Sequence, residues 1–173
     1  GLVDIDGGRI RLGTTWTTLV RPPPGTVFRA EPIRVHGILP RDVAAAPLLG
    51  DVLPKLLHRL AGRVPIAHMG LDLDAHFLDR ALRTTFGIGF ATPLLDTARL
   101  ADRLDDIPEL RFRGPGAARS SRLTDLAVRF GIPVEREHDA LADALVCAQL
   151  FLVLATRLEG LGRATGSRLL KAM

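Results

Sequence analysis

Apolar and polar positions alternate by twos at the start of the chain and by threes and fours over most of the rest. Residues 2–5 form a short apolar run, and Asp6-Gly7-Gly8 is a hairpin turn signal. Arg9 to Val20 alternates weakly and is rich in Thr and Trp, as a strand is, until Pro22-Pro23-Pro24-Gly25 ends it. A β-hairpin is therefore expected to open the chain. From Pro40 the spacing changes. Leu48, Leu49, Val52, Leu53, Leu56, Leu57 and Leu60 recur at the period of an amphipathic helix, with a kink or restart expected at Pro54. Val64 to Ala67 reads as a short buried strand, Asp74 to Arg83 as a helix, and Thr92 to Leu95 as another strand. Asp96 or Thr97 then caps a helix through Leu104.

Arg111 to Arg122, rich in Gly and Arg and containing Pro115, reads as a loop. Leu123 to Phe130 predicts a short helix stopped by Gly131 and Pro133. From about Asp139 to Glu159 runs a long helix, with Leu141, Leu145, Ala148, Leu152 and Ala155 at helical spacing. Strands alternating with helices after a hairpin predict an α/β domain with a mixed sheet. At 173 residues there is room for one such domain, placed at residues 1–159. Residues 160–173 are then a basic tail or linker.

Composition narrows the function classes. With 47% hydrophobic and 24% charged residues the balance is that of a globular protein. No uncharged apolar run approaches the roughly 20 residues of a membrane span, and no secretory signal pattern opens the chain. Cys147 is the sole cysteine, which excludes an internal disulfide and a Cys-rich zinc site. These features read as reducing and cytoplasmic, with no membrane partner. An opening of Gly1-Leu2-Val3 without methionine fits a processed product, an excised domain or a fragment. Net charge is +4, and Lys55 and Lys171 are the only lysines, a bias that a high-GC coding genome explains. That charge permits a polyanionic partner without demanding one.

Two segments carry candidate chemistry. In His138-Asp139-Ala140-Leu141-Ala142-Asp143, Asp139 is placed to cap the last helix, with Asp143 one turn inside and His138 on the loop before it. Such a pair suits a metal-held water beside a general base. It equally suits two acids favouring a helix N-terminus, with His138 a loop residue. In Ala67-His68-Met69-Gly70-Leu71-Asp72-Leu73-Asp74-Ala75-His76-Phe77-Leu78, carboxylates follow a strand and open a helix, where α/β proteins build sites. The plain alternative for Asp72 and Asp74 is helix capping. His68 and His76 have nothing near them in sequence to complete a zinc set.

His138 to Asp143 resembles the His-x-Ala-x-x-Asp signature of the DEDDh-type 3′–5′ exonucleases, the polymerase III epsilon-subunit-like family. Residues 67–78 resemble that family's second motif, through Ala-His and Asp-x-x-Phe-Leu. Thr18 to Pro22, Val35-His36-Gly37-Ile38, Leu95-Asp96-Thr97 and the Leu123–Ile132 helix echo further family segments in the same order. The resemblance spans roughly residues 2–155. It implies a ribonuclease-H-like mixed sheet flanked by helices, and release of 5′-mononucleotides from the 3′ end of single-stranded DNA or RNA. It further implies two Mg²⁺ or Mn²⁺ ions held by carboxylates, Asp74 and Asp143 among them, with His138 as general base. Val35, His36 and Leu73 would lie near the terminal nucleotide, and Asp96 would cap its helix. A polymerase, or a further domain of the same polypeptide, is the implied partner.

Two departures from the family pattern stand out. His68 to Asp74 spans six positions where the second motif has five. The family's opening Asp-x-Glu strand has no clear counterpart. Asp6-Gly7-Gly8 aligns with the turn between the family's second and third strands, so the first, central strand is expected to be missing; Asp4 and Asp6 are the alternative replacements. Two other functions stay open beside the exonuclease. One is a non-catalytic nucleic-acid-binding or scaffold module using Arg111, Arg113, Arg119 and Arg122 on phosphates. The other is a phosphodiesterase acting on short oligonucleotides.

Overall fold

The computed structural model describes residues 1–108 and 120–160. It opens on the expected hairpin. Strands β1 (Leu2–Asp6) and β2 (Arg9–Trp16) run antiparallel, with Ile5 opposite Ile10 and Leu2 opposite Trp16. Gly7 and Gly8 turn the chain at φ 55° and 74°, the left-handed pair that a two-residue hairpin loop favours.

Two short helices follow, α1 (Ala30–His36) and α2 (Pro40–Val43). Sequence patterning did not predict α1, and the reason is physical: it buries no residue, so it has no apolar stripe to read. Helix α3 (Leu49–Leu60) runs unbroken through Pro54, where a kink or restart was expected. Pro54 is exposed and so is Gly50, whose carbonyl loses its helical donor and can turn to water.

Next come β3 (Ile66–Ala67), α4 (Asp74–Phe86), β4 (Leu95–Asp96) and α5 (Thr97–Asp105). Helices α6 (Leu123–Arg129) and α7 (Ala140–Glu159) complete the described chain. Strand β4 is shorter than the Thr92–Leu95 strand read from the sequence and is shifted toward the helix it feeds. It pairs in parallel with β3, Ile66 opposite Leu95 and Ala67 opposite Asp96. Among the described residues the mixed sheet thus takes the form of one antiparallel and one parallel pair, with no ladder between them. Both pairs pack on α7. Most of the Arg111–Arg122 loop and nearly all of the 160–173 tail lie outside the described residues.

The core forms where α5, α6 and α7 meet. Leu100, Leu104, Leu126, Leu150 and Leu154 are fully or almost fully buried there. By length and composition alone α7 could cross a membrane; in this fold it is the helix that the core is built on. Burial on α7 also pushes the Cys147 thiol up to about 12, which leaves it protonated.

One ion pair sits inside this core. Arg129 donates from both terminal nitrogens to the Asp105 carboxylate, Nη1 to Oδ2 at 2.8 Å, and both side chains are buried. The guanidinium carbon lies 5.1 Å from the centre of the Phe130 ring. Removing one partner strands a buried charge, so Asp105→Asn is expected to cost about 3–5 kcal/mol in denaturant unfolding. The double change Asp105→Leu with Arg129→Met is expected to recover most of that loss.

Candidate active site

The parallel pair aims its C-terminal ends at the start of α4, and α7 begins beside them. Asp96, at the end of β4, is 1% exposed and carries several duties at once. Its Oδ1 accepts from Ala98 N at 2.9 Å, capping α5, and from Met69 N at 3.1 Å. Its Oδ2 accepts from Leu71 N at 3.3 Å. The carboxylate expected only to cap a helix therefore also holds the loop that leads into Asp74.

That loop is tightly built. At Gly70 a Cβ would collide with the Ala67 Cβ and sit 3.3 Å from Asp74 Oδ2, so only glycine leaves the carboxylate its space. Met69 before it has φ 54°, a left-handed value that costs a non-glycine residue free energy. His138 is the other described non-glycine residue at positive φ, at 63°. The two strained positions thus fall in the two segments singled out for chemistry.

Asp74 opens α4 and Asp143 lies in the first turn of α7. Burial pushes the Asp74 carboxyl above the usual carboxylate range; its own backbone hydrogen bond opposes this and nearby Asp96 adds to it. Burial also raises Asp143, against the His138 imidazole and a hydrogen bond from the His138 backbone, both of which favour its charged form. Asp96, Asp74 and Asp143 all act electrostatically on the Cys147 thiol, one turn along α7 from Asp143. Neither Asp74 nor Asp143 is ion-paired with an arginine or lysine among the described residues. Asp72, by contrast, is exposed and lies 3.6 Å from Arg99 Nη2. Asp139 caps α7, its Oδ1 accepting from Leu141 N and Ala142 N at 3.0 Å each. Gly1 lies against Ala140 and Leu141 at the same end of the helix.

His68 has both ring nitrogens occupied by protein. Nε2 lies 2.6 Å from the Ser121 carbonyl and Nδ1 2.8 Å from Thr97 Oγ1. A carbonyl only accepts, so Nε2 carries the proton, and in the neutral ring Thr97 donates to Nδ1. His68 is thereby a strut between β3, α5 and the segment leading into α6. No local pattern signals the Ser121 contact, because 53 residues separate its ends.

The remaining predicted positions are less closely tied to the carboxylates. Leu73 immediately precedes Asp74 and is 50% exposed, available to a ligand at that mouth. Val35 and His36 are exposed on α1, and His36 Nδ1 accepts from Ile38 N at 3.0 Å. No hydrogen bond or ion pair among the described residues joins α1 to Asp74 or Asp143. Asp4 and Asp6 face other partners: Asp4 lies 3.4 Å from Arg63 Nη1 and Asp6 2.9 Å from Arg11 Nη2.

The oxygen donors suit a hard divalent cation. Their number does not suffice: no group of three or more His, Cys, Asp or Glu side chains able to hold a metal forms among the described residues. Two carboxylates alone do not complete a shell.

Comparison with known proteins decides the family. The RNase T exonuclease family matches residues 1–151. The chain belongs to it. A DNA polymerase III subunit epsilon-like protein of Rhodobacter capsulatus is 35% identical over 166 residues, 94% of this chain and 21% of that protein. The DNA polymerase III subunit epsilon of Aquifex aeolicus is 26% identical over 156 residues, 90% of this chain and 70% of that one. The exonuclease domain thus spans about a fifth of the Rhodobacter capsulatus relative and 11% of the PolC-type DNA polymerase III of Thermotoga maritima. Escherichia coli exonuclease I in complex with a dT13 oligonucleotide has the same fold at TM-score 0.76 and 14% identity, over 91% of this chain and 36% of that one. Exonuclease X in complex with 5′-overhanging duplex DNA follows at TM-score 0.67 and 20% identity, covering 98% and 86%. The α/β fold expected from the motifs is therefore the exonuclease fold.

The raised carboxyls have a measurable consequence. The folded chain binds protons at Asp74 and Asp143 more tightly than the unfolded chain does, so each ionised carboxylate destabilises the fold as pH rises through its shifted range. In metal-free buffer Asp74→Asn is expected to raise the melting temperature near pH 7. The gain should vanish by about pH 3, where the wild-type carboxyl is protonated in both states. Thermal melts of the two proteins across pH check this.

Proposed function

We propose that residues 1–173 are the larger part of a metal-dependent 3′–5′ exonuclease domain that releases 5′-mononucleotides from single-stranded DNA or RNA. One observation carries this reading. Asp74 and Asp143, which no arginine or lysine pairs with among the described residues, both act on the Cys147 thiol, and His138, held at positive φ, acts on Asp143. A divalent cation such as Mg²⁺ or Mn²⁺ would offset the cost of ionising them and would supply Lewis-acid and water-activating chemistry when bound. His138, on the loop before the Asp139 cap, is the general base that would take a proton from the attacking water. Leu73 would contact the terminal nucleotide, and Val35 and His36 would approach it from α1.

The site in these residues is half a site. Asp4 and Asp6 are engaged with Arg63 and Arg11, which favours the reading that the Asp-x-Glu carboxylates belong to a further strand. The two strand pairs that pack on α7 without a ladder between them support that reading, since a central strand would join them. Named relatives are polymerase III subunits, which supports a polymerase, or another domain of the same polypeptide, as partner in the cytoplasm.

The test measures mononucleotide release from a 5′-labelled single-stranded oligonucleotide with Mn²⁺. Two proteins are compared: residues 1–173, and the same chain extended at its N-terminus by a strand carrying Asp-x-Glu. The extended chain is expected to be the active one, and His138→Ala in it should cost about 10²–10⁴-fold in rate. Full activity of residues 1–173 alone would mean that Asp4 and Asp6, or a second copy, complete the site. Well-folded protein with no metal-dependent product in either form would leave a nucleic-acid-binding module on the same fold.

A further inference from the structure

Away from the carboxylates, β2 and α3 enclose an open groove of about 460 Å³ lined by Trp16, Pro54, Lys55, His58 and Arg59. Its two charged lining residues, Lys55 and Arg59, are both cationic. The Arg59 guanidinium carbon lies 5.5 Å from the centre of the Trp16 ring, and its Nη1 donates to the Thr14 carbonyl at 3.0 Å. Lys55 and His58 are exposed on the same helix, and neither they nor Arg59 pair with a carboxylate among the described residues. Trp16 itself is only half-buried. An indole held beside cationic side chains that have no acidic partner is the arrangement that takes a base on its ring and phosphates on its charges.

We propose that this groove is a second binding surface for single-stranded nucleic acid, in which a base stacks on Trp16 and the adjoining phosphates face Lys55 and Arg59. The choice of nucleic acid as ligand rests on the exonuclease reading above. The location fits a strand that extends beyond the carboxylates: Trp16 pairs across the hairpin with Leu2, next to Gly1 at the start of α7. The Arg59 contacts to Thr14 and Trp16 also tie α3 to β2. Lys55 makes no such tie, so its charge can be removed without touching the fold.

Trp16 is the sole tryptophan and the chain has no tyrosine, so intrinsic tryptophan emission reports this groove alone. The experiment titrates the whole chain with a dT oligonucleotide in EDTA at several salt concentrations and reads Trp16 quenching. Binding is read without turnover, so a catalytically dead chain still tests it, and an active chain can still fail it. Saturable quenching that weakens with salt is expected. Lys55→Gln should lower affinity several-fold and reduce the slope of log affinity against log salt by about 0.7, the share of one phosphate contact on a single strand. Absence of quenching at low salt overturns the proposal, as does an unchanged salt slope in Lys55→Gln. Displacement of the oligonucleotide by polyglutamate as readily as by unlabelled oligonucleotide also overturns it, and assigns the groove to an acidic protein.

Discussion

Helix α7 is apolar around most of its circumference, and the fold is organised by the need to cover it. One side buries Val146, Leu150, Leu154 and Leu158 against α5 and α6. The others receive the β1–β2 hairpin and the β3–β4 pair, which do not hydrogen-bond to each other. A helix that is apolar all round is stable in water only when enclosed. It therefore draws in one strand pair from the start of the sequence and one from its middle, and its own first turn, capped by Asp139 and holding Asp143, lies against Gly1 at the foot of the hairpin.

The second constraint is the satisfaction of buried polar groups at the β4–α5 junction. Asp96 and Thr97 are almost inaccessible to solvent, and their oxygens are spent on backbone amides of residues 69, 71 and 98 and on His68. Each bond left unmade there would cost more than it contributes when made. The loop from Met69 to Leu73 is consequently fixed from below, and Asp74 inherits a defined position at the start of α4. The same rigidity keeps a second carboxylate near Asp96, which is one reason why Asp74 titrates high. A scaffold that holds acids close together stores electrostatic free energy that a metal ion can release.

Much of this could be read along the chain. The hairpin was legible because Gly7-Gly8 permits a turn that few residues adopt, and α3, α5, α6 and α7 were legible because each buries a stripe that repeats at helical spacing. Asp74, Asp143 and His138 were legible only as motif positions, since each also suits ordinary helix capping. What stayed hidden depends on contacts between distant residues. Helix α1 carries no buried stripe, Asp96 reaches back 27 residues to Met69, and His68 reaches forward 53 to Ser121. The groove joining Trp16 to Lys55 and Arg59 is of the same kind.

Most of the elements, a resemblance to the family and the candidate carboxylates could be read from the chain alone, because periodicity, turn chemistry and short motifs are local properties. It takes the folded chain to show which carboxylates have raised proton affinity without an arginine or lysine beside them, and which, like Asp4, Asp6 and Asp72, are already engaged by arginines. Burial and pairing are set by neighbours far away in sequence, and it is these, not residue type, that fix the free energy of a charge.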